Sequence, residues 1–308
     1  MSAPLRLGTR RSALATGQSQ TVADALTAAT GRAVELVTVT TQGDVTSAPL
    51  HTFAGQGVFT SALRDELLGG TVDLAVHSLK DLPTAPQPGL VVAAIPTRVD
   101  PRDALIARDG LTLAELPPGS KVGTGSLRRG AQLRALGLGL EVVGIRGNVG
   151  SRLAKVDDGE LDAVILAAAG LTRLGLRDRI TELLDPIQML PAPGQGALAV
   201  ECLTSREDVV DLVRRLDDNY SRSCVEAERA LLAELEAGCS APVGALAEVV
   251  ETEDGLELSL RAVVTAHDGS DAIRLSATGP LTDAAGLGQR LARVMLEDGA
   301  QELMGSTR

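Results

Sequence analysis

A rhythm in the sequence constrains the fold more than any single residue. Through the first two-thirds of the chain, short apolar runs alternate with helix-length patterns. PLRLGT (4–9) reads as a strand and SALATGQSQTVADALTAAT (12–30) as the helix after it. VELVTVTT is the next strand, VFTSALRDELLGG a helix stopped by glycines, and VDLAVHS and LVVAAI are further strands around the proline-rich loop PTAPQPG. From residue 121 the style repeats: strand KVGT, helix SLRRGAQLRAL, strand EVVGI, helix NVGSRLAKVDDG, strand DAVILAAAG. Strands alternating with helices of this length predict parallel α/β sheets. RLGTRRSALA (6–15) and KVGTGSLRRGAQL (121–133) echo each other, both running strand, Gly-Thr, polar turn, helix. Two such domains face to face would flank a cleft.

The last third reads differently. LPAPGQGALAVEC (190–202) is a loop and then a strand, and NYSRSCVEAERALLAELEA (219–237) is a strong helix. VGALAEVV, LELSLRAVVTA and AIRLSAT alternate like antiparallel strands, and DAAGLGQRLARVMLEDGAQELM closes the chain as one helix. The expected partition of the 308 residues is therefore residues 1–97 plus 193–216, residues 98–192, and a small α+β domain over 217–308.

Composition narrows the partners. Hydrophobic residues make up 44%, yet the chain has no Trp, one Tyr and two Phe. The cores must be built from Leu, Val, Ile and Ala, and base stacking is nearly unavailable. A net charge of −11 argues against nucleic acid and anionic membranes. Residues 121–180 run against that balance, with ten Lys and Arg to six Asp and Glu. A basic segment in an acidic chain suggests a local anion site. No long apolar run marks an export signal or membrane anchor at the start of the sequence, and three scattered cysteines suit a reducing compartment, so a cytoplasmic location is expected. The spacing of His51, His77 and His267 gives no metal cluster. No apolar seam demands a dimer, so a monomer is expected.

Three constellations could carry chemistry. The first is a set of polar turns at helix starts. GTGSLRR (123–129) offers free backbone N–H groups, the Thr124 and Ser126 hydroxyls, and Arg128 and Arg129. IRGNVGSR (145–152) adds Arg146, Asn148 and Arg152, and LGTRRS (7–12) adds Arg10, Arg11 and Ser12. Guanidinium forks bind carboxylates and phosphates; the plainer alternative is capped helices with solvated arginines. There is no Walker A pattern to favour a nucleotide. The second is VHSLKDLP (76–83), where a strand ends in Ser78, Lys80 and Asp81, the place where open α/β sheets bind ligands. His77 there reads as a packed strand residue. The third is Cys239, in the small-residue loop AGCSAP. Cys202 and Cys224 sit in apolar patterns and read as core. Cys239 does not, and no histidine lies near it in sequence to act as its base.

These pieces together resemble the porphobilinogen deaminases. The resemblance runs in order through LGTRRSALA, TTQGD, DLAVHSLKDLP, DPRDALI, VGTGSLRR, IRGNVGSRL, LAAAGLTRLGL, LPAPGQGALAVEC and ERALLAELEAGCSAPVG, spanning about 240 residues. It implies two α/β domains like those of type II periplasmic binding proteins flanking a cleft, plus a small C-terminal α+β domain. The PAPGQGALAVEC strand would return to the first domain. It implies a hydroxymethylbilane synthase, a transferase that joins four porphobilinogen molecules head to tail with loss of ammonia. The growing chain would be held on a dipyrromethane cofactor through a thioether to Cys239. The catalytic aspartate would be Asp81. Cofactor contacts would come from Ser78, Lys80, Asp81, Thr124, Ser126, Arg128, Arg129 and Arg146, and substrate contacts from Arg10, Ser12, Gln18, Arg152, Arg173 and Gln195. A flexible loop suits a cysteine that anchors rather than attacks. The sequence departs from the pattern at Gly125, where a second Ser is common, at Gln56, where many members have Lys, and at Ala237 and Ala241 beside the cysteine. The main rival is a non-enzymatic two-lobed anion-binding protein, which leaves Cys239, Asp81 and the third domain unexplained. A thiol-dependent acyltransferase is a weaker rival for want of a base near Cys239.

Overall fold

In chain order the elements are strand β1 (Leu5–Arg10), helix α1 (Ala13–Thr30), β2 (Val34–Val39), α2 (Ser61–Leu68), β3 (Leu74–Ser78), β4 (Leu90–Ala94) and β5 (Asp103–Ala107). They continue with β6 (Lys121–Thr124), α3 (Leu127–Ala135), β7 (Glu141–Gly144), α4 (Val149–Asp157), β8 (Ala163–Ala167), α5 (Ala168–Arg173), β9 (Glu182–Leu183) and β10 (Leu198–Leu203). The C-terminal part holds α6 (Glu207–Val213), α7 (Asn219–Glu234), β11 (Val243–Thr252), β12 (Gly255–Thr265), β13 (Ala272–Pro280), α8 (Ala284–Glu297) and α9 (Ala300–Met304). This computed structural model describes residues 3–39, 60–238, 241–253 and 255–305. The chain divides into two compact units, residues 1–99 with 197–222, and residues 100–196 with 223–308.

The first unit is built on a five-stranded sheet in the order β2-β1-β3-β10-β4. β1 is parallel to β2 and β3, while β10 runs antiparallel to both β3 and β4. The second unit repeats the arrangement as β7-β6-β8-β5-β9, with β6 parallel to β7 and β8 and with β5 antiparallel to β8 and β9. The expectation of parallel sheets is thus corrected to mixed ones. An apolar run such as ALAVEC specifies a buried strand but carries no mark of its direction. The echo between residues 6–15 and 121–133 proves to be the same strand, turn and helix at the same place in two sheets.

Each sheet is covered on both faces. In the first unit Leu7, Leu26, Leu74 and Val200 pack on one side and Leu63, Leu67 and Val72 on the other. In the second, Ile106, Val164 and Leu171 form one core and Leu105, Leu133 and Ile165 the other. The C-terminal strands pair antiparallel as β11-β12-β13, and Leu231, Leu260, Leu287 and Met295 fill the space against α7 and α8. Among the described residues no aromatic side chain is buried; Tyr220 is 53% exposed. Aliphatic side chains carry the cores, each fully buried one contributing about 1.5–3 kcal/mol. The closing helix is broken into α8 and α9 by Gly299, whose φ of 97° a helix interior does not accept. Strand β5 is not legible in the sequence, because its first residue is a charged Asp103.

Candidate active site

The candidate residues of the first unit gather at the carboxyl ends of β1 and β3, neighbouring parallel strands. Arg10 ends β1 and is half-buried. Ser12 caps α1, its hydroxyl accepting from the Ala15 N–H at 3.3 Å. Ser78 ends β3, and Gln18, buried on α1, donates from Nε2 to the Ser78 hydroxyl at 3.1 Å. Beyond Ser78 a single tight turn, Leu79–Asp81, buries Leu79 and leaves Lys80 half-buried and Asp81 exposed. Asp81 makes no ion pair or hydrogen bond with the described residues. A carboxylate held on a rigid strand end without a partner is available to a ligand.

Behind this edge lies a buried charge cluster. Glu201 on β10 accepts from Arg64 Nε at 3.0 Å and Nη2 at 2.7 Å, and His77 Nε2 lies 3.1 Å from its Oε2. His77 is packed within its strand as expected, at 4% exposure. Burial works to raise the Glu201 carboxyl, but the His77 and Arg64 contacts outweigh it and hold it at about 2.

In the second unit the candidates cluster around the carboxyl ends of β6, β7 and β8. Thr124 is buried at the end of β6, and its hydroxyl accepts from the Ser126 N–H at 3.2 Å. Ser126 caps α3, accepting from the Arg129 N–H at 3.4 Å. Asn148 caps α4 in the same way, from the Ser151 N–H at 2.9 Å. The Ser126 hydroxyl and the Asn148 amide therefore serve as helix caps first, and the Thr124 hydroxyl holds the cap residue Ser126.

Arg128 and Arg129 are not solvated. They are 3% and 6% exposed and share the fully buried carboxylate of Asp103. Arg128 Nη1 donates to Asp103 Oδ2 at 2.8 Å and to the Leu190 carbonyl at 2.5 Å. Arg129 donates to Asp103 Oδ1 from Nε at 3.0 Å and Nη2 at 2.8 Å, and to the Ile165 carbonyl at 3.1 Å. Gln195, 1% exposed, brings its Nε2 within 2.8 Å of the same Asp103 Oδ1. Burial would raise the Asp103 carboxyl, but the two guanidinium charges and their hydrogen bonds override it and hold it well below the usual carboxylate range.

Arg146 is exposed after β7, and Arg152 on α4 and Arg173 at the end of α5 are half-buried. Arg152 Nε donates to the Gly147 carbonyl at 2.8 Å, and Arg173 Nη2 to the Gly196 carbonyl at 2.9 Å. Neither meets a carboxylate among the described residues. Burial lowers both guanidinium pKa values, and Arg152 is lowered further by the charges of Arg129 and Arg146. Half-buried cations that meet no carboxylate among the described residues are groups that a bound anion stabilises. The sequence did not mark Asp103 or Glu228. Glu228, fully buried on α7, accepts from the Gly194 N–H at 2.6 Å and the Ala247 N–H at 2.8 Å. The only available signal for Asp103 was its place at the head of the apolar run ALIA.

The porphobilinogen deaminase dipyromethane cofactor binding domain matches residues 5–211, and the porphobilinogen deaminase C-terminal domain matches residues 222–297. The chain belongs to the porphobilinogen deaminase family. It is 62% identical over 306 residues to the porphobilinogen deaminase of Nocardia farcinica, covering 98% of this chain and 88% of that one. It is 59% identical over 309 residues to that of Mycobacterium tuberculosis, covering 99% of each. A periplasmic substrate-binding protein of Coxiella burnetii aligns with a TM-score of 0.44 at 14% identity, over 69% of this chain and 91% of that one. The fold itself rests on the strand orders given above.

Membership makes this chain a transferase of tetrapyrrole biosynthesis with a dipyrromethane-binding domain. The residues present fit such a group. A dipyrromethane carries several carboxylates, and Arg128 Nε is a buried donor without a hydrogen-bond partner among the described residues. Arg152 and Arg173 add half-buried positive charge. Cys239 and Gln56 lie outside the described residues. The Gly125 departure has a steric reason: a Cβ there would lie 2.6 Å from the Ile145 carbonyl oxygen, so the Ser common in the family does not fit this backbone. No helix among the described residues is long and apolar enough to cross a membrane.

Proposed function

We infer that this chain condenses four porphobilinogen molecules head to tail, releasing ammonia at each step and finally a linear hydroxymethylbilane. The observation that carries the residue assignments is the half-buried positive charge of Arg152 and Arg173, neither of which meets a carboxylate among the described residues, together with the buried Nε of Arg128, which has no hydrogen-bond partner among them. Porphobilinogen brings an acetate and a propionate on each ring. Bound through Cys239, a dipyrromethane would supply the free ring carbon to which the first unit is joined, each later unit being joined to the ring added before it.

The protein's part is binding, alignment and charge. Arg128, Arg129, Arg146, Arg152 and Arg173, together with Arg10, hold the carboxylates and so fix each ring's position. Loss of ammonia leaves an electron-poor, cationic ring. The Asp81 carboxylate stabilises that charge and the ring N–H, and takes part in moving the proton that the attacking ring loses from its α carbon once the new bond has formed. Lys80, beside it, balances a substrate carboxylate. Gln18 and Ser78, bonded to each other, keep the end of β3 and hence the turn bearing Asp81 in register. Ser12, Thr124 and Ser126 hold their helix starts, and Gln195 supports the Asp103 network. We further read residues 1–97 plus 193–216, 98–192 and 217–308 as three domains, and the protein as a cytoplasmic monomer that binds neither nucleic acid nor membrane. Sedimentation at micromolar concentration would overturn the monomer by giving a dimer mass.

Intact-mass measurement of the purified protein tests the anchor. The expected result is the chain plus two linked pyrrole units and a positive Ehrlich reaction, both lost in Cys239→Ser. Active enzyme with the mass of the bare chain would overturn it.

A further inference from the structure

The motif DPRDALI contains a buried carboxylate to which neither the sequence reading nor the reaction gives a role. Asp103 opens β5 at 0% exposure, and the other residues of that strand, Ala104 to Ala107, are buried and apolar. Both of its oxygens are used: Oδ2 by Arg128, Oδ1 by Arg129 and Gln195. Gln195 Nε2 also donates to the Pro101 carbonyl at 2.7 Å, which ties the network to the segment entering β5. Leu190, whose carbonyl takes the other bond of Arg128 Nη1, is itself held on both sides by Gln132, at 3.0 Å and 2.9 Å. The segment between them reaches Glu228 through Gly194, and Glu228 holds Ala247 on β11. So one continuous set of bonds runs from β11, the strand that follows the Cys239 loop, to the two arginines.

A guanidinium on a free four-bond stem samples many rotamers and loses that freedom on binding. Here the freedom is removed in advance. Arg129 spends Nε, Nη1 and Nη2 on protein oxygens, whereas Arg128 keeps a buried Nε without a partner among the described residues. Resting on the functional reading above, we propose that Asp103 is the positioning residue for carboxylate capture. It locks Arg128 and Arg129 into one paired arrangement, so that the donor left open on Arg128 is already aligned when a pyrrole carboxylate arrives.

The test is porphobilinogen binding by calorimetry to the Cys239→Ser protein, which cannot keep a tether, with and without Asp103→Asn. Far-ultraviolet circular dichroism checks the fold. Asn keeps the shape of the side chain but turns an acceptor into a donor facing the guanidiniums. The expected result is at least tenfold weaker binding on a folded protein, and in the enzyme with Cys239 intact a KM raised more than kcat is lowered. Should Asp103→Asn leave too much buried positive charge to fold, Asp103→Asn with Arg129→Gln restores the cluster's formal charge, and it is compared with Arg129→Gln alone. A further tenfold loss on adding Asp103→Asn supports the proposal. Affinity unchanged within twofold in either comparison overturns it. Failure of the Cys239→Ser parent to bind porphobilinogen instead overturns the functional reading, and this inference with it.

Discussion

Asp81 owes its usefulness to what surrounds it. Leu79 is buried to anchor the turn, the backbone is pinned where the Leu79 N–H donates to the Ala197 carbonyl at 3.0 Å, and the carboxylate two residues later stands in solvent. Asp81→Ala should therefore leave the fold intact and lower kcat at least about 100-fold, the usual scale for removing a positioned proton-transfer group. Single-turnover kinetics with an unchanged melting curve is the measurement, and kcat within tenfold of the parent would overturn the role. Asp81 was legible in the sequence because HSLKDLP ends a strand with chemistry-bearing residues and a proline. Asp103 and Glu201 were not, because each sits in an apolar strand and finds its charge partner far along the chain, Arg128 in one case and Arg64 in the other. Sequence distance hides such pairs, and only packing reveals them. The capping hydroxyls of Ser12 and Ser126 teach the converse. The sequence showed polar atoms at helix starts, and the structure has them occupied with the helix itself.

At the scale of elements, strand β10 matters most. It is inserted between β3 and β4 and antiparallel to both, and it carries Glu201 and Cys202 side by side. Its apolar run identified it as a strand, and the family resemblance returned it to the first sheet, but nothing in six apolar-rich residues states a direction. Cys202 is 0% exposed, and burial first, then the nearby Glu201 and Asp73 charges, push its thiol to about 12. At pH 8 its thiolate population is on the order of one in ten thousand. Iodoacetamide should therefore modify Cys202 only through opening of the sheet. Peptide mapping after timed labelling is expected to find Cys202 unmodified in the native protein and modified at the rate of unfolding in denaturant. Prompt native labelling would mean that β10 frays. The paired helices α8 and α9 illustrate a different limit: their apolar pattern runs on without a break, and only the positive φ of Gly299 divides it.

For the whole molecule, the two buried acid clusters contribute to the response to acid. Both Asp103 and Glu201 are depressed in the folded state. A depressed carboxyl adds stability above its unfolded value, and that stability is lost as pH falls through the folded one. For Glu201 the window runs from 4.5 down to about 2, and its contribution at neutral pH is roughly 3 kcal/mol. Urea titrations across that range should show stability falling with pH, and Glu201→Gln should be less stable at pH 7 with a shallower fall. An identical slope in the variant would place the acid sensitivity elsewhere.

The return of β10 also orders events on the ribosome. Strands β3 and β4 leave the exit tunnel about 100 residues before the strand that joins them, a wait of roughly 5–20 s at ordinary synthesis rates. Meanwhile the second sheet has every strand it needs within residues 100–196. The half of the protein made first is thus the half completed later, and the edges of β3 and β4 stand open to wrong partners until then. Glu201, arriving on β10 to meet Arg64 and His77, closes that gap with a charge match that a stray apolar strand cannot imitate.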